Sequence, residues 1–398
     1  METPANSAEF VRLDQILEGS GAADAIDRLI TDLADRNEYR ALLDALLLKA
    51  RHELGLALIA PGSLNDLPEP ARSQYEERYV DAIRLVGSKL LEAGDIAAAW
   101  PYYRAIGDKE PILAALEAFH PNPDGDERLG PVVEIAFNQG VLPRKGFDLI
   151  LDHYGACSAI TAFESLPPEE AMRIACADRL TKHLHDNLLA NLRADIGRRG
   201  QPLPSESASV ADHLAGRDWL FQDDAYHLDV SHLMAIVRMS PLLVNPESIR
   251  LAIGLTDYGL RLSSRHRYEG DSPFENVYED HDIYLRAVSG LDPDVAVSHF
   301  RTKLDEASDD RTKAEIAQVL VKLLLRLDRA DAALDVAANY LAGYPDSMLS
   351  CPSVATLCQR LGKPERLAQV ARDGGDLVNY LAARLQAAGA TRKSRSTE

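Results

Sequence analysis

Basic side chains are in short supply. The chain carries 43 lysines and arginines against 62 aspartates and glutamates, a formal net charge of -19. A surface of that sign repels phosphate backbones and anionic lipid headgroups, which argues against nucleic acid and membrane as partners. Cysteine is scarce too. Cys157, Cys176, Cys351 and Cys358 form no CxxC pair and have mostly small or apolar flanks. They read as small buried hydrophobes of a reducing compartment. No apolar run approaches the ~18 residues that a membrane helix needs. The opening METPANSAEFVRL has neither a basic nor an apolar leader segment. The chain therefore reads as soluble and cytoplasmic, of a bacterial type.

Catalytic signatures are missing as well. There is no GxSxG, no GxxxxGK[ST], no GxGxxG and no HExxH. Asn122, Asp124 and Asp126 have the spacing of a calcium loop, but the glycine and the twelfth-position glutamate are absent. Alternating strand patterns are rare. What recurs is apolar spacing of helical period, as in 23–33, 39–54 and 316–327, broken by Gly94-Asp95, Gly107, Gly155, Pro167-Pro168, Gly290 and Gly362. With 46% hydrophobic residues over 398 positions, a sizeable all-α core is expected.

Two stretches repeat. GDIAAAWPYYRAIGDKEP (94–111) aligns with DRADAALDVAANYLAGYP (328–345), matching Ala99 to Ala333, Tyr102 to Val336 and Pro111 to Pro345. Weaker copies are 362–375, with Leu367 at the small position, and 37–50, with Leu42 there. These copies resemble the second helix of a tetratricopeptide repeat. The Trp-x-x-Leu-Gly of that family's first helix is in none of them, so the array reads as degenerate. The resemblance implies stacked antiparallel helical hairpins in an α-solenoid, with a protein or peptide partner on its concave face. The expected organisation is repeats at 1–119, a histidine-rich helical middle at 120–300, repeats again at 301–388 and a disordered tail at 389–398. Self-association into a homo-oligomer is left open.

The middle holds ten of the eleven histidines. A long helix is expected over 168–196, and the polar segment 198–209 reads as a mobile loop or boundary. In YHLDVSHL (226–233), a helix starting near Asp223-Asp224 would set His227 and His232 about 140° apart, leaving Asp229 and His232 as the functional pair. Arg261, Arg265, His266 and Arg267 form a basic knot that either presents a fork to an anion or pairs with nearby acids. The run YEDHD (278–282) is expected to be helical, as a solvated acidic face or as a source of His281 for a site shared with Asp229 and His232.

Two functional readings follow. The first is a non-catalytic scaffold with no cofactor. The second is a metal-dependent enzyme or small anionic-ligand binder with a site between helices near 223–240 and 272–288. There Asp229, His232 and His281 would hold one divalent metal, and Arg265, His266 and Arg267 the ligand.

Overall fold

The computed structural model describes residues 4–59 and 66–395, with side-chain exposure for 8–59 and 66–388. The far end of the tail expected to be disordered, 396–398, lies outside the described residues. Among the described residues no strand forms. Glu269 and Asn276 make an isolated bridge, and the rest of the regular structure is helical. The fold is all-α, as the periodicity predicts. The chain divides into two compact units, Met1–Tyr154 and Gly155–Glu398.

The first unit contains α1 (Pro4–Gly19), α2 (Ala22–Asp35), α3 (Tyr39–Glu53), α4 (Ala71–Glu92), α5 (Ile96–Ala105), α6 (Glu110–Ala118) and α7 (Leu129–Val133), which runs into a π turn. Each of α1 to α5 packs on the next. In α4, Tyr75, Ala82, Ile83, Val86, Gly87 and Leu90 are buried, one apolar stripe at three- and four-residue steps. A Cβ on Gly87 would lie 2.6 Å from the Tyr103 ring, so glycine is what lets α5 close on α4. Asp95 caps α5 by accepting from the Ala98 N–H at 2.9 Å.

Helix α8 (Pro143–Glu164) is interrupted at Gly155, whose φ of 81° breaks the helical path where the two units divide. The second unit then begins with α9 (Glu170–Arg198), the long helix expected from the sequence. It buries Leu180, Leu184, Leu188, Leu192 and Ile196 in a single stripe. Each is worth ~1.5–3 kcal/mol of apolar burial. Packed against it are α10 (Val210–Leu214), α11 (Val230–Met239) and α12 (Pro246–Gly259). From α12 the chain proceeds through α13 (Val277–Val288), α14 (Pro293–Glu306), α15 (Asp310–Arg326), α16 (Ala330–Tyr340), α17 (Val354–Leu361), α18 (Pro364–Asp373) and α19 (Leu377–Arg395). Each of these also packs on its successor. One core runs from Tyr284 to Cys358 through Phe300, Leu320, Leu324 and Leu334.

The segment 198–209 does not divide domains. Arg193 donates from Nη1 to the carbonyls of Pro204 at 2.9 Å and Ser205 at 3.2 Å, and Arg217 donates to that of Pro202 at 3.2 Å. Ser209 and Asp212 close it with a capping box that starts α10. Two arginines from outside the segment hold it, which its own polar composition does not reveal.

Candidate functional site: a polar cleft beside α9

Next to its buried stripe, α9 carries Asn187, Asn191, Ala194 and Arg198 at steps of four, three and four, which places them along one face. They form one wall of an open cleft of about 690 Å³, and Tyr226, His227, Leu228, Asp229 and His232 form the other. The segment YHLDVSHL is therefore a wall of this cleft. Its local structure differs from the expected one. Asp223 and Asp224 do not start a helix: both have left-handed φ, 58° and 57°, and end the short 3-10 turn at Asp218–Asp224. Short polar side chains tolerate that region best. The helix starts at Val230, and Asp229 is its cap.

Asp229 Oδ1 accepts from the Ser231 hydroxyl at 2.5 Å, the Ser231 N–H at 2.9 Å and the His232 N–H at 3.3 Å. The Ser231 hydroxyl, aided by the His232 N–H, holds this carboxyl below the usual range. The carboxylate is thus used in forming the helix end. The His232 ring is half-buried on the cleft wall.

His227 precedes the helix and is held on every side. Its backbone N–H donates to Tyr258 Oη at 2.6 Å, Nδ1 lies 3.2 Å from the same oxygen, and Nε2 lies 3.4 Å from Asp195 Oδ2. Tyr258 Oη accepts one hydrogen and keeps its own to donate to Nδ1, so Nε2–H points at Asp195. Burial pushes His227 below the ordinary imidazole range and the Tyr258 phenol above its own. A neutral imidazole and a protonated phenol are the states this network needs. Phe221 covers both rings, at 5.4 Å from Tyr258 and 6.2 Å from His227. With both nitrogens satisfied, His227 is a fixture of the wall and not a free base.

Both asparagine amides are engaged, one across the cleft and one along α9. Asn191 Nδ2 donates to the His227 carbonyl at 2.7 Å, and Asn187 Nδ2 donates to His183 Nε2 at 3.0 Å. Arg198 pairs with Asp195 at 3.2 Å while its side chain stays largely exposed at the cleft.

The basic knot is elsewhere and does different work. Helix α12 ends at Gly259, so Arg261 and Arg265 do not share a helical face. Arg261 pairs with Asp218, and Arg265 pairs with Asp224 at 3.0 Å. His266 Nε2 donates to the Asp224 carbonyl at 3.1 Å, and Arg267 Nε donates to the Leu262 carbonyl at 2.9 Å. Arg261, Arg265 and His266 clamp the 218–224 turn to the end of α12. The Arg267 bond stays within the 261–267 loop.

YEDHD is helical, as expected, but it is not a solvated acidic face. Asp280 is 0% exposed and accepts from His299 Nε2 at 2.7 Å, Lys303 Nζ at 2.8 Å and the Asn276 N–H at 2.8 Å. His281 is 1% exposed and donates from Nδ1 to the Val277 carbonyl at 2.6 Å. Asp282 accepts from Arg286 at 2.6 Å and from the Thr256 hydroxyl at 2.9 Å. Helices α11 and α13 do pack together. The α11 charge that His281 feels, however, is Arg238, nearly two turns beyond His232. Asp229, His232 and His281 are not grouped so as to hold a metal ion. Among the described residues no group of three or more His, Cys, Asp or Glu is arranged to hold a metal ion.

The sequence reading passed over Asn187 and Asn191, which line the cleft, and Asp195 and Tyr258, which hold His227 in its wall. The first two carried a signal, two carboxamides one turn apart on a long amphipathic helix. Asp195 and Tyr258 carried none. Among the described residues no helix is long and apolar enough to cross a membrane. No family model matches the chain, and neither a curated protein nor a solved structure matches it.

Proposed function

We propose that the chain is a non-catalytic helical-repeat scaffold that holds an extended peptide segment of a protein partner in the cleft along α9. The observation that carries this reading is the pair Asn187 and Asn191. Each amide nitrogen is engaged, Asn187 with His183 one turn back on α9 and Asn191 with the His227 carbonyl on the other wall, which leaves each Oδ1 as the acceptor of its carboxamide. Four residues of helix rise about 6 Å, close to the two-residue repeat of an extended chain, about 6.7 Å. The ladder therefore matches alternate backbone N–H groups of a bound strand. Ala190 and Ala194, which also line the cleft, leave room for a backbone to approach. Arg198 and His232 supply donors for carbonyl or carboxylate groups beside it.

The tetratricopeptide-like reading belongs to the same proposal. Ala99 and Ala333, the matched small positions, are both 0% exposed. Each sits on the second helix of a tightly packed pair, α4 with α5 and α15 with α16. A cytoplasmic setting agrees with free cysteines at all four positions.

The test is selection of peptides from a displayed random library on the full chain, followed by affinity measurement on the selected peptides. Two backbone hydrogen bonds at ~1 kcal/mol each amount to roughly thirty-fold in affinity. The Asn187→Leu/Asn191→Leu variant, with an unchanged helical circular dichroism spectrum, should lose about that much. A library yielding no binder, or a binder that the double variant holds equally well, would overturn the reading.

A further inference from the structure

Arg198 closes α9 with most of its guanidinium unused. Nη2 donates to Asp195 Oδ1 at 3.2 Å, and the side chain is 76% exposed on the cleft wall. Asp195 is not a counter-ion for Arg198 alone. Arg199 Nε lies 3.5 Å from its Oδ2, and the His227 Nε2–H points at the same oxygen from 3.4 Å. One carboxylate thus faces two guanidiniums and a ring N–H, so this end of the cleft keeps an excess of positive charge. Arg199 does not line the cleft; its guanidinium lies over the Trp219 ring, 4.6 Å from the centroid. Nor does the helix end need Arg198. The carbonyls of Asp195, Ile196 and Gly197 accept from the backbone N–H groups of Arg199, Gln201 and Gly200. Asp229, the carboxylate of the facing wall, is turned into the positive start of α11, where Ser231 and His232 donate to its Oδ1.

We propose, on the reading that the cleft takes an extended peptide, that Arg198 selects peptides bearing a carboxylate at a set distance from the residue whose N–H meets Asn191. Arg198 follows Asn191 by seven residues, about 10.5 Å of helix rise. An extended chain covers that span in about three residues. Side chains on a helix lean toward its N-terminus, which brings the guanidinium back toward Asn191 and makes the step about two to three residues. The guanidinium fork matches a carboxylate with two parallel N–H···O bonds. One excess positive charge is met by the one negative charge a carboxylate carries. The rest of the surface, on a chain of net charge -19, holds acidic groups off, so the cationic end of the cleft also sets where the carboxylate lies. An Asp or Glu side chain and a peptide C-terminus offer the fork the same chemistry.

Binders are selected on the full chain from two random peptide libraries, one displayed with a free C-terminus and one with it fused. Backbone N-methylation finds the N–H that Asn191 takes, as the position where methylation weakens binding to the wild type but not to Asn191→Leu. A carboxylate should stand about two to three residues from it. Its replacement by a carboxamide, in the side chain or at the C-terminus, should weaken binding to the wild type roughly fivefold, the upper end for an exposed ion pair. The same replacement should leave binding to Arg198→Gln unchanged. Arg198→Lys keeps the charge and loses the fork, and should retain part of the difference. The carboxamide that acts tells a side chain from a chain end. No effect of either carboxamide, an effect of equal size on Arg198→Gln, or a carboxylate outside that spacing would overturn the proposal. The Asn187→Leu/Asn191→Leu variant separates this failure from that of the peptide ladder. Binders that it loses, yet that ignore both carboxamides and Arg198→Gln, keep the ladder and remove the carboxylate.

Discussion

His281 lies stacked on Phe274, with ring centroids 4.1 Å apart and planes 24° from parallel. Its Nδ1 donates to the carbonyl one turn back, and burial pushes its imidazole down to about 4. Asp280 beside it works in the opposite direction, and Arg238 and Lys303 add to the lowering. An imidazole so placed is neutral in the folded protein across the physiological range.

The consequence is acid sensitivity. The unfolded chain takes a proton on this ring near the ordinary value of 6.5, while the folded chain takes it only near 4. Between those two values the unfolded state binds more protons, so stability falls as pH falls and the loss is complete below about 4. At 1.36 kcal/mol per unit, the loss is on the order of 3 kcal/mol. His185 and His227 are lowered by burial too and act with the same sign. Urea unfolding at pH 7 and pH 4.5 should therefore show a smaller drop for His281→Phe than for wild type. Equal drops would mean that His281 is not the group responsible.

Gly259 and Tyr278 make a second testable contact. A Cβ on Gly259 would fall 2.3 Å from Tyr278 Cδ1 and 2.5 Å from Cγ, and these atoms belong to the root of a buried ring. Alanine gains about 1 kcal/mol of helix propensity over glycine. Overpacking costs ~1–3 kcal/mol, and here neither α12 nor the ring can retreat cheaply. Gly259→Ala should lower stability by about 1–2 kcal/mol, and Tyr278→Leu in the same chain should recover part of it. A stabilised Gly259→Ala would show that propensity wins and that α12 and α13 can separate at little cost.

Helices were legible in the sequence because their signals are local. The stripe from Leu180 to Ile196 and the breaks at Gly155 and Gly362, both with positive φ, can be read along a single stretch of chain. Partners were not legible. YEDHD looks solvated as a string of letters, but Asp280 is buried against His299 and Lys303, 19 and 23 residues further on. YHLDVSHL lines a cleft, but its local geometry differs from the expected one. Acidic residues at 223–224 suit a helix start as well as 229 does, and only the left-handed turn at Asp223 and Asp224 decides which is the cap. The partners that fix His227 lie 31 and 32 residues away in sequence, on other helices.

That fixing yields the last prediction. Tyr258 is buried and does not line the cleft, yet its hydroxyl accepts the His227 N–H and lies within donating reach of Nδ1. The His227 carbonyl in turn holds Asn191. Tyr258→Phe leaves the ring packing in place and removes only the oxygen. A buried N–H then loses its acceptor, at a cost of ~1–3 kcal/mol. If the peptide ladder depends on a fixed Asn191, the same variant should also weaken a peptide selected on the wild type, although Tyr258 never touches it. Asn191→Leu should then weaken that peptide less in the Tyr258→Phe background than in the wild type, because both act through one bond. Stability loss with binding intact would confine Tyr258 to the fold. Binding lost in step with the His227 wall would make that wall, and not the cleft surface alone, the element that determines affinity.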